Sequence, residues 1–456
     1  MKKGIKILIV TIIVLLIVSL GTVAGLYFFT DMFKTNKQMY MKYISEMGKS
    51  VYSELNDEKL KEYKEKTKNT PYETNGEIST KGRSWGNLDN LNISFNGKVD
   101  VANKYYFQNI KVNNSQIKDL SADLLIQDQT LGFKINGILN GYIAIKNENL
   151  KALAKELGIK EEQLEYIPDK IEFNNDIESI VTKEEVNELK EKYGKLLSDS
   201  LNDDMFSKIN KDDETIYSLK LNDEQLDEIS NKILENVKDD EMLWGIIKKY
   251  YLSFGIVKEN EIDKQIEELK EKLQDDVNDI KNNNENNSDE TKENKTYEFN
   301  LHVKDKKVYK IEILNGNYAI ILNKTNNGIT YNYQEKEKEL SKVEIEKSRE
   351  NNKLVYNIKI LEDGKEFMSV SIEYKGIDSQ NEVQEALNLT TNNNSDALTI
   401  FDNSMSIKYN NTIKFNENLA IEKAKDNEFV YLNGKSAEYI QNLFTNIIYR
   451  LMMTGR

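Results

Sequence analysis

The chain contains one histidine, His302, and no cysteine, set against 77 acidic side chains. That inventory removes thiol nucleophiles, disulfides, thiolate metal sites and lipid attachment to a cysteine together. Without a cysteine or a second histidine, neither a zinc site nor a catalytic triad assembles in familiar form. His302 falls between Leu301 and Val303 in an alternating stretch whose opposite face carries Tyr297, Phe299, Leu301 and Val303, so the pattern predicts an exposed strand residue. The acid clusters Asp203-Asp204 and Asp212-Asp213-Glu214 lack the alternating oxygens and central glycine of a calcium loop and read as solvated loops. No GxxxxGK[ST], GxSxG or strand-to-helix GxGxxG occurs. A pair among the many acids could still converge in space, which keeps a carboxylate-dependent hydrolase open without naming its residues. No catalytic, cofactor-binding or metal-ligating residue is assigned, and no cofactor is expected.

The elements that would position any chemistry begin with Ile7 to Phe29, which carries no charged side chain. At about 1.5 Å per residue a helix of that length reaches the roughly 30 Å of a bilayer's hydrocarbon core. Lys2, Lys3 and Lys6 precede it with no acid among them, so the positive-inside bias predicts a cytoplasmic tail over 1–6 and an extracellular body. Thr22 and Ala24 loosely resemble a signal-peptide cleavage site, but the apolar run continues through Leu26, Tyr27, Phe28 and Phe29, which favours an uncleaved single-pass anchor in the cell membrane. Gly21 and Gly25 form a GxxxG through which a protein partner or a second copy could pack.

The net charge of −14 repels phosphate backbones and excludes a nucleic-acid binder. An exported body without disulfides suits the cell envelope of a Gram-positive bacterium, and the abundance of Asn, Lys and Ile reads as genomic base bias. At 456 residues the chain can form one large or two medium domains beyond the anchor.

A juxtamembrane helix is predicted over 30–70, ending before Pro71, with Met39, Tyr43, Met47, Val51 and Leu55 as an apolar stripe beside Tyr40 and Ile44. An N-terminal α+β lobe follows over 71–280. Its strands alternate through Ile93-Phe95, Val99-Val101, Ile110-Val112, Leu120-Ile126, Leu131-Ile135 and Tyr142-Ile145. Helices then start at Asn147, at Thr182 with Glu185, and at Asn222 with Gln225, around one inserted strand, Thr215 to Leu221. The same strand, Asn and helix order recurs at Phe429 to Asn433. Ile262 to Ile280 forms a charged surface helix or short coiled coil, and Lys281 to Lys295, without an apolar residue, reads as a flexible loop or linker. The C-terminal lobe, 296–456, shows strands at 297–303, 309–313, 318–322, 329–333, 343–345, 354–360, 368–374 and 405–409. It closes with a helix from Ser436 that could cover a sheet or lie on a membrane.

The segments TDMFKTNKQMYMKYISE (Thr30 to Glu46), YIAIKNENLKALAKELG (Tyr142 to Gly158) and VYLNGKSAEYIQNLFTNI resemble uncharacterised single-span membrane proteins of clostridia and related Firmicutes. The meander sheets with helices on one face resemble, at fold level, envelope lipoprotein carriers of the LolA type, which shelter an acyl chain in a half-barrel. Neither resemblance carries a functional residue to this chain. The expected architecture is α+β: an N-terminal transmembrane helix, then two curved antiparallel β-meander lobes packed with helices. The expected function is an extracytoplasmic binding or structural protein of the cell envelope. Alternatives are a carrier or sensor of an apolar ligand, lipid or lipopeptide, in a half-barrel-like cavity, and the carboxylate hydrolase.

Overall fold

The computed structural model describes residues 34–82, 90–114, 120–160, 164, 167, 170, 181–253, 261–285, 296–379, 381–392 and 404–453. The predicted tail 1–6, the apolar stretch Ile7 to Phe29, and Gly21 and Gly25 lie outside these. Among the described residues no helix is long and apolar enough to cross a membrane.

In chain order, helices α1 (Asn36–Leu55) and α2 (Glu58–Asn69) precede six strands. These are β1 (Tyr72–Lys81), β2 (Asn92–Asp100), β3 (Tyr105–Asn113), β4 (Leu120–Gln127), β5 (Thr130–Ile135) and β6 (Tyr142–Lys146). Helices α3 (Leu150–Glu156) and α4 (Lys183–Ser200) lead to β7 (Phe206–Lys211) and β8 (Glu214–Asn222), then α5 (Asp223–Lys238), α6 (Glu241–Ser253) and α7 (Ile262–Glu285). The long meander comprises β9 (Thr296–Lys304), β10 (Lys307–Asn315), β11 (Tyr318–Lys324), β12 (Gly328–Glu335), β13 (Lys338–Glu350), β14 (Lys353–Glu362) and β15 (Lys365–Lys375). It continues with β16 (Glu382–Thr391) and β17 (Met405–Phe415), and the chain closes on β18 (Phe429–Tyr431) and α8 (Ala437–Met453).

Local chemistry explains many of these boundaries. Thr182 with Glu185 and Asn222 with Gln225 form reciprocal capping boxes, as their spacing predicts. Two-residue turns with both residues at positive φ, Asp305-Lys306 and Asp363-Gly364, join successive strands with the backbone twist a tight hairpin needs. The α3 cap differs from expectation: Asn149, in the left-handed region, occupies the N-cap and Asn147 is buried. The helix expected over 30–70 is two helices, because Asp57 accepts from the backbone N–H of Lys59 and Leu60 and so starts a second one. Helix α7 runs on to Glu285, so the predicted linker begins inside a helix and its remainder lies outside the described residues.

The chain forms two compact units, each drawn from two separate stretches. One contains the described residues up to Asn56 with those from 181 to Glu344; the other contains Asp57 to 170 with those from Ile345. In the first, β7, β8, β9, β10, β11 and β12 pair in that order, all antiparallel. Its core lies where Met39, Tyr40, Tyr43, Ile44 and Met47 of α1 and Leu226, Ile229 and Ile233 of α5 meet Leu219, Phe299 and Leu301. The α1 stripe is therefore packing surface, each such side chain contributing about 1.5–3 kcal/mol on burial.

In the second unit, β14, β15, β16, β17, β1, β2, β3, β4, β5 and β6 pair in that order, all antiparallel. Strand β18 then adds parallel to β6. Helix α2 packs through Tyr63 against Leu354, Ile377, Val383 and Ile413, and α8 packs through Ile440 and Ile447 against Ile135 and Ile143. Each unit is thus an antiparallel sheet with helices on it, and the architecture is α+β.

Candidate functional site

Because side chains alternate along a strand, register decides which residues share a face. In the second unit one register row runs Tyr374, Glu385, Asn411, Gly76, Phe95, Ile110, Ala122, Ile135. The row beside it runs Ile372, Leu387, Tyr409, Ile78, Ile93, Val112, Leu120. This face is apolar, whereas the opposite face carries Asn75, Glu77, Glu373, Gln384, Asn410 and Thr412 around a depression of about 510 Å³. The apolar face is only partly covered. Ile93, Phe95 and Ile110 are half-buried, and Leu124 and Phe133 are 42% and 38% exposed.

Helix α2 and this face border a cleft of about 380 Å³ walled by Tyr63, Tyr72, Phe95, Tyr374 and Tyr409, with Lys64, Thr67, Thr74, Gln108, Glu385 and Asn411 as its polar and charged groups. The helix is fixed at its start by buried Asp57, whose carboxylate caps it, lies 2.5 Å from Arg349 Nη1, and pairs with Lys347 at 3.6 Å. Burial pushes the Asp57 carboxyl up, but Arg349 and the Leu60 amide outweigh it and hold it below the usual range.

Glu385 stands at the centre of the cleft. Tyr63 donates to its Oε1 at 2.8 Å, and Tyr409 and Asn411 donate to its Oε2 at 3.2 and 3.4 Å. Burial and then Glu385 itself push the Tyr63 and Tyr409 hydroxyls up, so both remain protonated donors. Tyr72 is pushed up to about 12, mainly by burial. Phe95 lies over Gly76 and stacks on Tyr409 with ring centroids 6.0 Å apart. Tyr63 and Tyr72 each meet Phe415 edge-on, at 6.0 and 5.8 Å.

In the first unit, His302 is buried at 7% exposure, not exposed as the alternation predicts. The reason is lateral: carboxylates reach it from both neighbouring strands. Its Nδ1 lies 3.1 Å from Glu214 of β8 and its Nε2 lies 2.9 Å from Glu312 of β10. Tyr309, the extra residue of a bulge in β10, donates to Glu214 at 2.5 Å, and Lys310 pairs with Glu312. Burial pushes the imidazole down, but Glu312 and Glu214 prevail and hold it above its ordinary value. His302 in turn holds Glu312 down to about 2 against the cost of burial. Both ring nitrogens face carboxylates, so the imidazolium is an ion-pair bridge with no free nitrogen for proton transfer or metal ligation.

Of the acid clusters read as solvated loops, Asp203 accepts from the Thr35 hydroxyl at 3.0 Å, Asp213 pairs with Lys304, and Glu214 turns inward to His302. Among the described residues no group of three or more His, Cys, Asp or Glu is placed to hold a metal ion. The pattern reading missed Glu385 because it missed β16. The signal was present: Val383, Leu387 and Leu389 alternate with an acid standing in an apolar position.

No family model matches the chain, and no curated protein matches it. Among solved structures, a mutant of the vaccine antigen transferrin binding protein B from Haemophilus parasuis aligns over 78% of this chain and 76% of that chain at 7% identity. The TM-score of 0.10 is far below that of a shared fold.

Proposed function

We propose that the protein is a membrane-anchored extracytoplasmic binding protein of the cell envelope, and that the apolar sheet face of the second unit receives its ligand. The observation that carries this reading is the half-exposed row around Phe95, Ile110, Leu124 and Phe133. A sheet face of this composition is ordinarily buried by another layer, and contiguous exposed apolar surface marks a site of interaction. The same row favours an apolar ligand, the carrier reading, over a purely structural role. Helix α8 adds to it: Phe444, Ile448 and Met452 remain exposed although Ile440 and Ile447 pack inward. Attachment rests on Ile7 to Phe29, whose length and lack of charge suit a bilayer span with the body outside, and Gly21 with Gly25 would let two spans pack. Glu214 and Glu312, which converge on His302, are both engaged by it and do not form a free carboxylate pair for hydrolysis.

The test is to feed a diazirine-bearing fatty acid to cells expressing the full chain, irradiate, and map the adducts by mass spectrometry. Adducts on β2 to β5 are expected. Adducts confined to residues 7–29 would overturn the reading, since lipid then meets only the anchor.

A further inference from the structure

We propose that the cleft between α2 and the sheet binds an alkylammonium group, with Glu385 as its counter-charge and the surrounding tyrosine rings as its walls. The inference deepens the binding reading above and rests on it. Its first support is the charge of Glu385. Among the described residues, those that donate hydrogen bonds to this half-buried carboxylate are Tyr63, Tyr409 and Asn411, all neutral. A carboxylate has about four lone-pair sites, and Oε1 receives one of these donors while Oε2 receives two, so capacity remains on Oε1. A carboxylate partly removed from bulk water is stabilised when a cation neutralises it, and Lys64, the cationic side chain that lines the same cleft, is not among its donors.

The second support is the wall. Tyr63, Tyr72, Tyr374, Tyr409 and Phe95 line one cleft with Glu385. Aromatic faces attract cations through the ring quadrupole, and a cage of them is the usual way to hold a quaternary or primary ammonium. The protein makes this contact itself beside the cleft: Lys66 Nζ stands 4.7 Å from the centroid of Phe415, the ring that meets both Tyr63 and Tyr72. The volume of about 380 Å³ lies within the range that holds a small ligand, so a choline-sized group fits. A net charge of −14 draws cations toward the molecule. A neutral sugar could stack on the same rings, but would leave Glu385 uncompensated.

The experiment titrates the full chain, in non-ionic detergent, with choline and with its neutral isostere 3,3-dimethylbutan-1-ol, reading binding by saturation-transfer NMR. Choline should bind at least about tenfold tighter than the isostere, and Glu385→Gln, which keeps the acceptor and removes the charge, should abolish that preference. Tyr409→Leu, which removes one ring, should weaken choline severalfold, with near-ultraviolet circular dichroism reporting the fold of each variant. Glu382→Gln removes a charge from the opposite face of the same strand, where Glu382 pairs with Lys414, and should leave the preference intact. Competition by phosphocholine or by Nα-acetyl-lysine amide supports the inference, and the tighter competitor identifies a lipid headgroup or a protein side chain as the source. Equal binding of choline and isostere, or an unchanged preference in Glu385→Gln, would overturn the cation inference. Fatty-acid adducts on β2 to β5 would then still uphold the apolar binding face, so the two failures are separable.

Discussion

Replacing Glu312 by Gln should destabilise the protein near neutral pH and cost progressively less as the solution is acidified. The Glu312 carboxylate is 19% exposed, receives His302 Nε2 at 2.9 Å and pairs with Lys310; these contacts hold it down to about 2 from an ordinary 4.5. At about 1.36 kcal/mol per pKa unit, that displacement corresponds to roughly 3 kcal/mol of folding free energy. The unfolded chain takes up the proton first as pH falls. The contribution is therefore complete above the ordinary carboxylate range and disappears as pH drops through 4.5 toward about 2. Urea unfolding of wild type and Glu312→Gln, measured across this range, should show a gap of about 2–3 kcal/mol near pH 7 that closes toward pH 2. The single histidine offers an independent readout, because an untagged chain has one imidazole Hε1 resonance. In wild type its titration should lie above the ordinary histidine value, and in Glu312→Gln it should move down. On the alkaline side, His302 contributes fully below its unfolded pKa, and that stability is lost as pH rises through its raised folded value. A gap as large at pH 2.5 as at pH 7, or an unmoved Hε1 titration, would refute the ion-pair account.

Three further outcomes test the framework. Asp57→Ala removes the α2 cap and leaves Arg349 with Asp378 as its remaining carboxylate partner, so thermal denaturation should report a loss of about 1–2 kcal/mol; Arg349→Met added to it should cost less than in the wild-type background. Gly76→Ala places a methyl 2.2 Å from the Asn410 carbonyl oxygen and 2.6 Å from the Phe95 ring, and should destabilise by about 1–3 kcal/mol in urea; a change near zero would show that β1 and β17 can separate freely there. Deleting residues 7–29 should move the protein from the carbonate-resistant membrane fraction to the soluble one, and persistence at the membrane would point to another means of attachment.

Local patterns were sufficient wherever a neighbour in sequence is also the neighbour in space. The capping boxes at Thr182 and Asn222, the hairpin turns at Asp305 and Asp363, and the α1 stripe from Met39 to Met47 all depend on residues a few positions apart. Strands β1 and β7 were not legible, since Thr, Asn, Glu and Lys interrupt their apolar alternation, and in β16 Glu385 breaks an alternation that Val383, Leu387 and Leu389 otherwise keep. The pairing of β1 with β17 joins Tyr72 to Phe415, a contact that no local period encodes. Its consequence is that the second unit interleaves both ends of the body instead of following the chain.

Composition alone settled the absence of thiol chemistry, the acidic charge and the uniqueness of His302, and alternation alone indicated antiparallel sheets with helices. Tertiary structure decided what the polar groups do. Glu385 meets Tyr63 on a helix and Tyr409 on another strand, and His302 is enclosed by carboxylates from β8 and β10. A side chain's character follows from its own atoms, but its charge partners and its access to water follow from register and from the strands placed beside it. Those depend on pairings between distant segments, whose free energy is spread over whole strands and written in no single motif.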